Sequence, residues 1–211
     1  MSWSLSVISL DLDQLRRARG GRDGALLQRV LREEKDQIAF HDGVFRKPRS
    51  PYLPLAKAIA QTIAGSVDPA ARPRFQYEHA VAAIARSLGE PLDAEAFAEC
   101  SDDLWNEINR FIRRARSGAG LSSSRWPAIS AILQRGPFVD VPLDAAMRLG
   151  TGYLDGSECR TIAQALAALR FEDLARGEEL EWPDETVDAA EQYRGWVRHA
   201  SEHAQGLFFH C

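Results

Sequence analysis

Cysteine is scarce in this chain and never clustered: Cys100, Cys159 and Cys211 stand far apart, and no CxxC occurs. That spacing argues against both a cysteine zinc site and a disulfide framework, so reduced thiols are expected. HExxH is missing, and GRDG and SGAG lack the strand, glycine spacing and lysine of a phosphate loop. No apolar run approaches the ~18 residues that span a bilayer, and the N-terminus has no basic stretch followed by an apolar one. A cytoplasmic protein without a membrane segment is therefore expected. Repeats and low-complexity tracts are lacking too, and the basic part has no interleaved aromatics, which sets nucleic-acid binding aside.

What is present is an ordinary globular composition, 45% hydrophobic and 27% charged over 211 residues. A chain of this size buries about 70% of its unfolded surface and supports its own core. The net charge of −4 is unevenly placed. Residues 1–50 carry ten Lys or Arg against seven acids, residues 51–150 eleven of each, and residues 151–211 five against twelve. Such asymmetry can steer a charged partner.

The organising stretch is Gly136 to Leu169. Phe138, Val139 and Val141, bounded by Pro137 and Pro142, predict a short edge strand. Gly150 and Gly152 suit a tight crossing or a close backbone approach. Asp155 and Glu158 have capping-box spacing, so a helix begins at about Gly156 and buries Ile162, Ala165, Leu166 and Leu169.

Upstream, residues 3–10 read as a strand with at least one buried face, and Asp11 with Gln14 starts a short helix that Gly20 and Gly21 end. Asp23 caps a helix carrying Leu26, Leu27, Val30 and Leu31 to about Asp36. From Ile38 to Leu53 the periodicity fails; His41, Asp42 and Gly43 suggest a turn, and Arg46 to Pro51 a basic loop. Helices then follow from Pro54 to Gly65, from about Phe75 to Gly89, and from Asp93 through Ile112. The arginines Arg113, Arg114 and Arg116 suit the negative end of the last of these. Residues 117–124 read as a flexible loop and Trp126 to Leu133 as a short helix. After an acidic loop over 171–183, Asp184 caps a long helix whose inner face holds Val187, Ala190, Tyr193, Trp196, Val197 and Ala200. Leu207, Phe208 and Phe209 form a terminal strand that needs a neighbour for its backbone, and the opening strand is the obvious one.

The opening SLSVISLDLDQL, the block TGYLDGSE, the helix TIAQALAAL and the ending YRGWVRHASEHAQGLFFHC together resemble the YfbM-like bacterial proteins of unknown function over about half of the chain. The resemblance implies a shared fold rather than a reaction. Some of those proteins look like small intracellular proteins found beside secreted toxins.

Chemistry-bearing groups are few. His199 and His203 share one helical face, with His210 on the following strand, and partly exposed structural histidines are the expected reading. Cys159 follows a helix start, where the dipole lowers a thiol pKa, but its position is that of a small core residue. The expected architecture is α+β and predominantly helical, one domain over 1–211 with about seven helices around a small sheet that includes both terminal strands. Non-catalytic binding of a protein partner is the expected function, specifically immunity to a bacterial toxin, with no metal or cofactor. Glu178, Glu179, Glu181, Asp184 and Glu185 are its candidate contacts. A small enzyme, metal-dependent in one form, built from the loop starting at His41 and the C-terminal histidines is the alternative.

Overall fold

The structure, a computed structural model, describes residues 4–45, 52–97, 102–118, 129–142, 150–169, 171 and 183–211. Four strands, β1 (Ser6–Leu10), β2 (Glu90–Leu92), β3 (Thr151–Leu154) and β4 (Gly206–His210), form one sheet in the order β2-β1-β4-β3. Every pairing is antiparallel, with Ile8 opposite Phe208 and Phe208 opposite Tyr153. The two chain ends therefore lie side by side at the centre of the sheet, as the unpaired backbone of the terminal strand requires.

Nine helices are described: α1 (Leu12–Ala18), α2 (Gly24–Glu33), α3 (Lys35–Phe45), α4 (Leu55–Ala64), α5 (Phe75–Leu88), α6 (Asp102–Gly118), α7 (Ile129–Leu133), α8 (Gly156–Ala167) and α9 (Asp184–Glu202). They divide between the two faces of the sheet. Alternate strand residues point to opposite cores. Ile8, Leu10 and Phe208 pack with α1, α2, α4 and α5, whereas Val7, Leu207 and Phe209 pack with α6, α8 and α9. Because both faces are covered, β1 and β4 are buried almost throughout instead of alternating between core and solvent.

Helix α5 is the axis of the first layer. Every residue from Phe75 to Ala85 is buried, and Ala80, Ala82, Ala83 and Ala85 admit close neighbours on all sides. Helix α4 starts at Pro54, which has no side chain to cap it; Asp42 Oδ1 instead accepts from Leu55 N at 3.0 Å. The same helix ends at Gly65, whose φ of 70° is the left-handed conformation of a C-terminal cap.

The capping box before α8 is complete. Asp155 Oδ1 accepts from Ser157 N and Glu158 N, each at 2.8 Å, and Glu158 Oε2 accepts from Asp155 N at 3.0 Å. Arg135 forks onto the two oxygens of Glu158 at 2.8 Å each, tying the end of α7 to this cap.

Several expectations are corrected. Residues 138–141 form no strand, with a bend at 138 and 139 and irregular backbone at 140 and 141, and Val139 and Val141 contribute to the first layer's core. The stretch from Ile38 is helical to Phe45: α2 stops at Glu33 and α3 continues from Lys35, so Asp42 and Gly43 make no turn. Gly150 and Gly152 do not make a tight crossing. Residues 151–154 pair as β3, and Gly152 permits the close approach, since a Cβ there would overlap the carbonyl of Ile132. Asp184 lies inside α9 behind an N-cap at Pro183. Strand β2 was not expected; it is three residues long, mostly exposed, and carries Pro91, which an edge strand tolerates. Of the expected loop at 117–124, Ser117 and Gly118 complete α6, and the remainder lies outside the described residues.

Candidate functional site: a histidine cluster

Three histidines from distant segments meet on the first-layer face of the sheet. His79 of α5 lies between His41 of α3 and His210 of β4, with ring centroids 4.1 and 5.1 Å apart. His210 faces this way because it shares a sheet face with Phe208. Its cross-strand partner is Thr151, whose hydroxyl donates to Glu78 Oε2 at 3.2 Å. Adjacent residues of α5 thus straddle adjacent residues of the sheet. Phe45 stacks on His41 at 5.7 Å, and Phe75 meets His79 edge-on at 5.8 Å.

The electrostatics keep all three imidazoles neutral at neutral pH. Burial, then the neighbouring His210, His41 and Arg86, push His79 down to about 2. Burial, then Arg86 and His41, push His210 down to about 3. His41 is lowered by burial and Arg86, against a smaller opposing pull from Asp42 and Glu34. Arg86, two helical turns beyond His79, is fixed by a fork onto Glu34, its Nε donating to Oε1 at 2.8 Å. Nδ1 of His41 and Nε2 of His210 are buried without a hydrogen-bond partner among the described residues. At the rim, Tyr52 OH donates to Asp42 Oδ1 at 3.0 Å and accepts from Gln76 Nε2 at 2.6 Å.

Imidazoles held this far below their ordinary pKa are poor proton acceptors, and their ring nitrogens are left to hydrogen bonding. No group of three His, Cys, Asp or Glu side chains among the described residues has the arrangement to hold a metal ion. The thiols are elsewhere. Cys159 is fully buried in the second core and Cys211 packs against it, so the sheet separates both from the cluster. Burial, and then the charges of Glu158 and Asp155, push the Cys159 thiol up to about 12. These outweigh the helix dipole that would activate it. Cys100 lies outside the described residues.

The C-terminal histidines do not form one group. His199 and His203 stack at 4.3 Å near the end of α9, and His199 Nε2 lies 3.5 Å from Glu90 Oε2 on β2. His210 instead joins His41 and His79. Of the candidate partner contacts, Glu178, Glu179 and Glu181 lie outside the described residues. Asp184 and Glu185 are exposed in the first turn of α9, with Asp188 exposed one turn on, and none of these three has an ion-pair partner among the described residues. Negative charge also suits that helix end. Arg113 and Arg114 are exposed on α6.

Two features escaped the sequence reading. Phe40 and Val44, 63% and 56% exposed, lie one turn apart on α3, which buries none of its residues. Their spacing of four was visible, but reading Asp42 and Gly43 as a turn concealed it. Glu78 and His79 were also signalled, as adjacent polar residues directly ahead of the apolar run over 80–85.

No helix among the described residues is long and apolar enough to cross a membrane. No curated protein and no solved structure matches the chain. A family model for a domain of unknown function, DUF7691, matches residues 1–211, and the chain belongs to that family.

Proposed function

We propose that the protein binds a protein partner without catalysing a reaction on it, and that the partner is a toxin held inactive in the complex. The observation that carries the binding reading is the outward pair Phe40 and Val44 on a helix that buries no residue of its own. Folding alone does not account for an aromatic and a branched aliphatic side chain presented together to water. Apolar residues spaced by four along a helix are the anchors by which helices seat in partner grooves. The exposed carboxylates Asp184, Glu185 and Asp188 support attraction to a basic surface. The toxin form of the proposal rests on the resemblance to YfbM-like proteins.

Co-expression with toxins encoded beside its gene, followed by calorimetry on any complex that co-purifies, tests the reading. Phe40→Asp with Val44→Asp should weaken the complex at least about thirtyfold, the scale of interface anchors. Reversing Asp184, Glu185 and Asp188 to Lys should slow association and reduce its salt dependence. An unchanged affinity in the α3 double variant would refute the binding surface, and the absence of a toxin among the products that bind would refute the toxin form.

A second reading, a small enzyme working through the histidine cluster, is favoured by the unpartnered nitrogens of His41 and His210. It expects an activity, found with a panel of hydrolase substrates, that His41→Ala abolishes while the fold and the partner affinity persist.

A further inference from the structure

A groove of about 800 Å³ lies between α1 and α2, floored by the end of α5 at Leu88, on a part of the first layer separate from Phe40 and Val44. Three guanidinium side chains line it: Arg17 from α1, and Arg29 and Arg32 from successive turns of α2. Gln14 and Gln28 add neutral amides. Among the described residues that line it the only acid is Asp23, and one oxygen of that carboxylate already accepts from Ala25 N and Leu26 N as the cap of α2.

The arginines are not consumed by internal pairing. Arg17 meets Asp11 at 3.2 Å and Arg32 meets Glu33 at 3.9 Å, both exposed contacts of the kind that contribute little and yield readily to a competing anion. Arg29 has no ion-pair partner among the described residues, and its Nε is buried without an acceptor. Among the described residues no carboxylate holds Arg29, so of the three it has least to give up to an incoming anion.

We infer that this groove binds a small molecule carrying two or more phosphate groups, gripped from opposite walls by Arg17 and by Arg29 with Arg32. Guanidinium forks match phosphate oxygens in pairs, and cations on both walls suit a ligand with more than one anionic group. The volume is that of a small-molecule site. No aromatic side chain among the described residues lines the groove, so these residues offer no platform for the stacked bases of a single strand.

Titrating the full chain with inorganic pyrophosphate, and separately with citrate, by calorimetry tests the inference. Pyrophosphate should bind saturably and more tightly than citrate. Arg29→Gln should weaken it at least about tenfold and Arg29→Lys by less, since the lysine keeps the charge and loses the fork. Should Arg29→Gln fail to fold, Arg17→Gln with Arg32→Gln, both at exposed positions, gives the same reading. Phe40→Asp with Val44→Asp should bind pyrophosphate like the unaltered chain, which separates this site from the partner surface. Citrate bound as tightly as pyrophosphate, no saturable binding at millimolar concentration, or affinity unchanged in the arginine variants would each overturn the assignment.

Discussion

On one face of the sheet, Cys159, Ile162, Tyr193, Trp196 and Phe209 pack in a core that is apolar almost throughout. On the other, Gln76, Glu78, His79, Thr151 and His210 are buried beside an equally extensive apolar cluster. The two layers share β1 and β4, so neither the strands nor the amount of apolar surface separates them. They differ in what must be neutral and hydrogen-bonded for the layer to close. The second layer buries fewer polar groups, among them Thr186, whose hydroxyl donates to Glu107 Oε2 at 3.1 Å, and the Trp196 indole, which donates to Asp93 O at 2.6 Å. The first must also keep imidazoles unprotonated next to Arg86 and satisfy a buried carboxylate, and it is the layer that holds both the outward α3 pair and the arginine groove. Where a protein keeps costly polar groups out of water, stability and function draw on the same residues.

Acid should separate the layers most strongly. The folded-state pKa values of His79 and His210, about 2 and about 3, lie below the ordinary 6.5, so the unfolded chain takes up protons that the folded chain refuses. Their contribution is whole above about pH 6.5 and is lost as the pH falls towards 3. The loss is about 1.4 kcal/mol per pH unit for each histidine, or about 4 kcal/mol for the pair by pH 5. Hydrogen exchange at pH 5 should show α3 and α5 opening before α8 and α9. Simultaneous opening would erase the distinction drawn between the layers.

The second layer should instead be sensitive to shape. Gly152→Ala places a methyl group against the Ile132 carbonyl, which is backbone and cannot rotate away. Destabilisation by about 3 kcal/mol is expected from overpacking. Urea unfolding should show it equally at pH 7 and pH 5 relative to the unaltered chain, and a loss confined to acid would contradict the contrast.

The smallest effect should come from a cap that belongs to the local chain. Asp155→Ala removes the acceptor for two amides at the start of α8, for an expected loss of about 1 kcal/mol. A loss several times larger in thermal unfolding would mean that Arg135 and Glu158 depend on that cap far more than their geometry shows.

Much of the fold was legible because it is written in local chemistry. Asp11, Asp23 and Asp155 each start a helix through their own side chains, and Gly65 and Gly89 stop two others. The apolar run at the C-terminus called for a strand partner, and the opening strand is that partner. The errors came where tertiary contacts override local signals. Pro137 and Pro142 bracket residues that pack as an irregular crossing, and Asp42 with Gly43 sits inside a helix because Asp42 caps α4 from a distance. Of the site, His210 was singled out but grouped with His199 and His203, since spacing along the chain cannot report which sheet face a strand residue takes.

Helix starts, helix stops and the mating of the chain ends are decided by residues within a few positions of one another and by the demand of backbone groups for partners. These the amino-acid order settles unaided. That His41, His79 and His210 converge, and that the thiols Cys159 and Cys211 lie across the sheet from them, are outcomes of packing between segments far apart in sequence. Such contacts arise only when the whole chain buries its apolar surface at once, and no local pattern carries them.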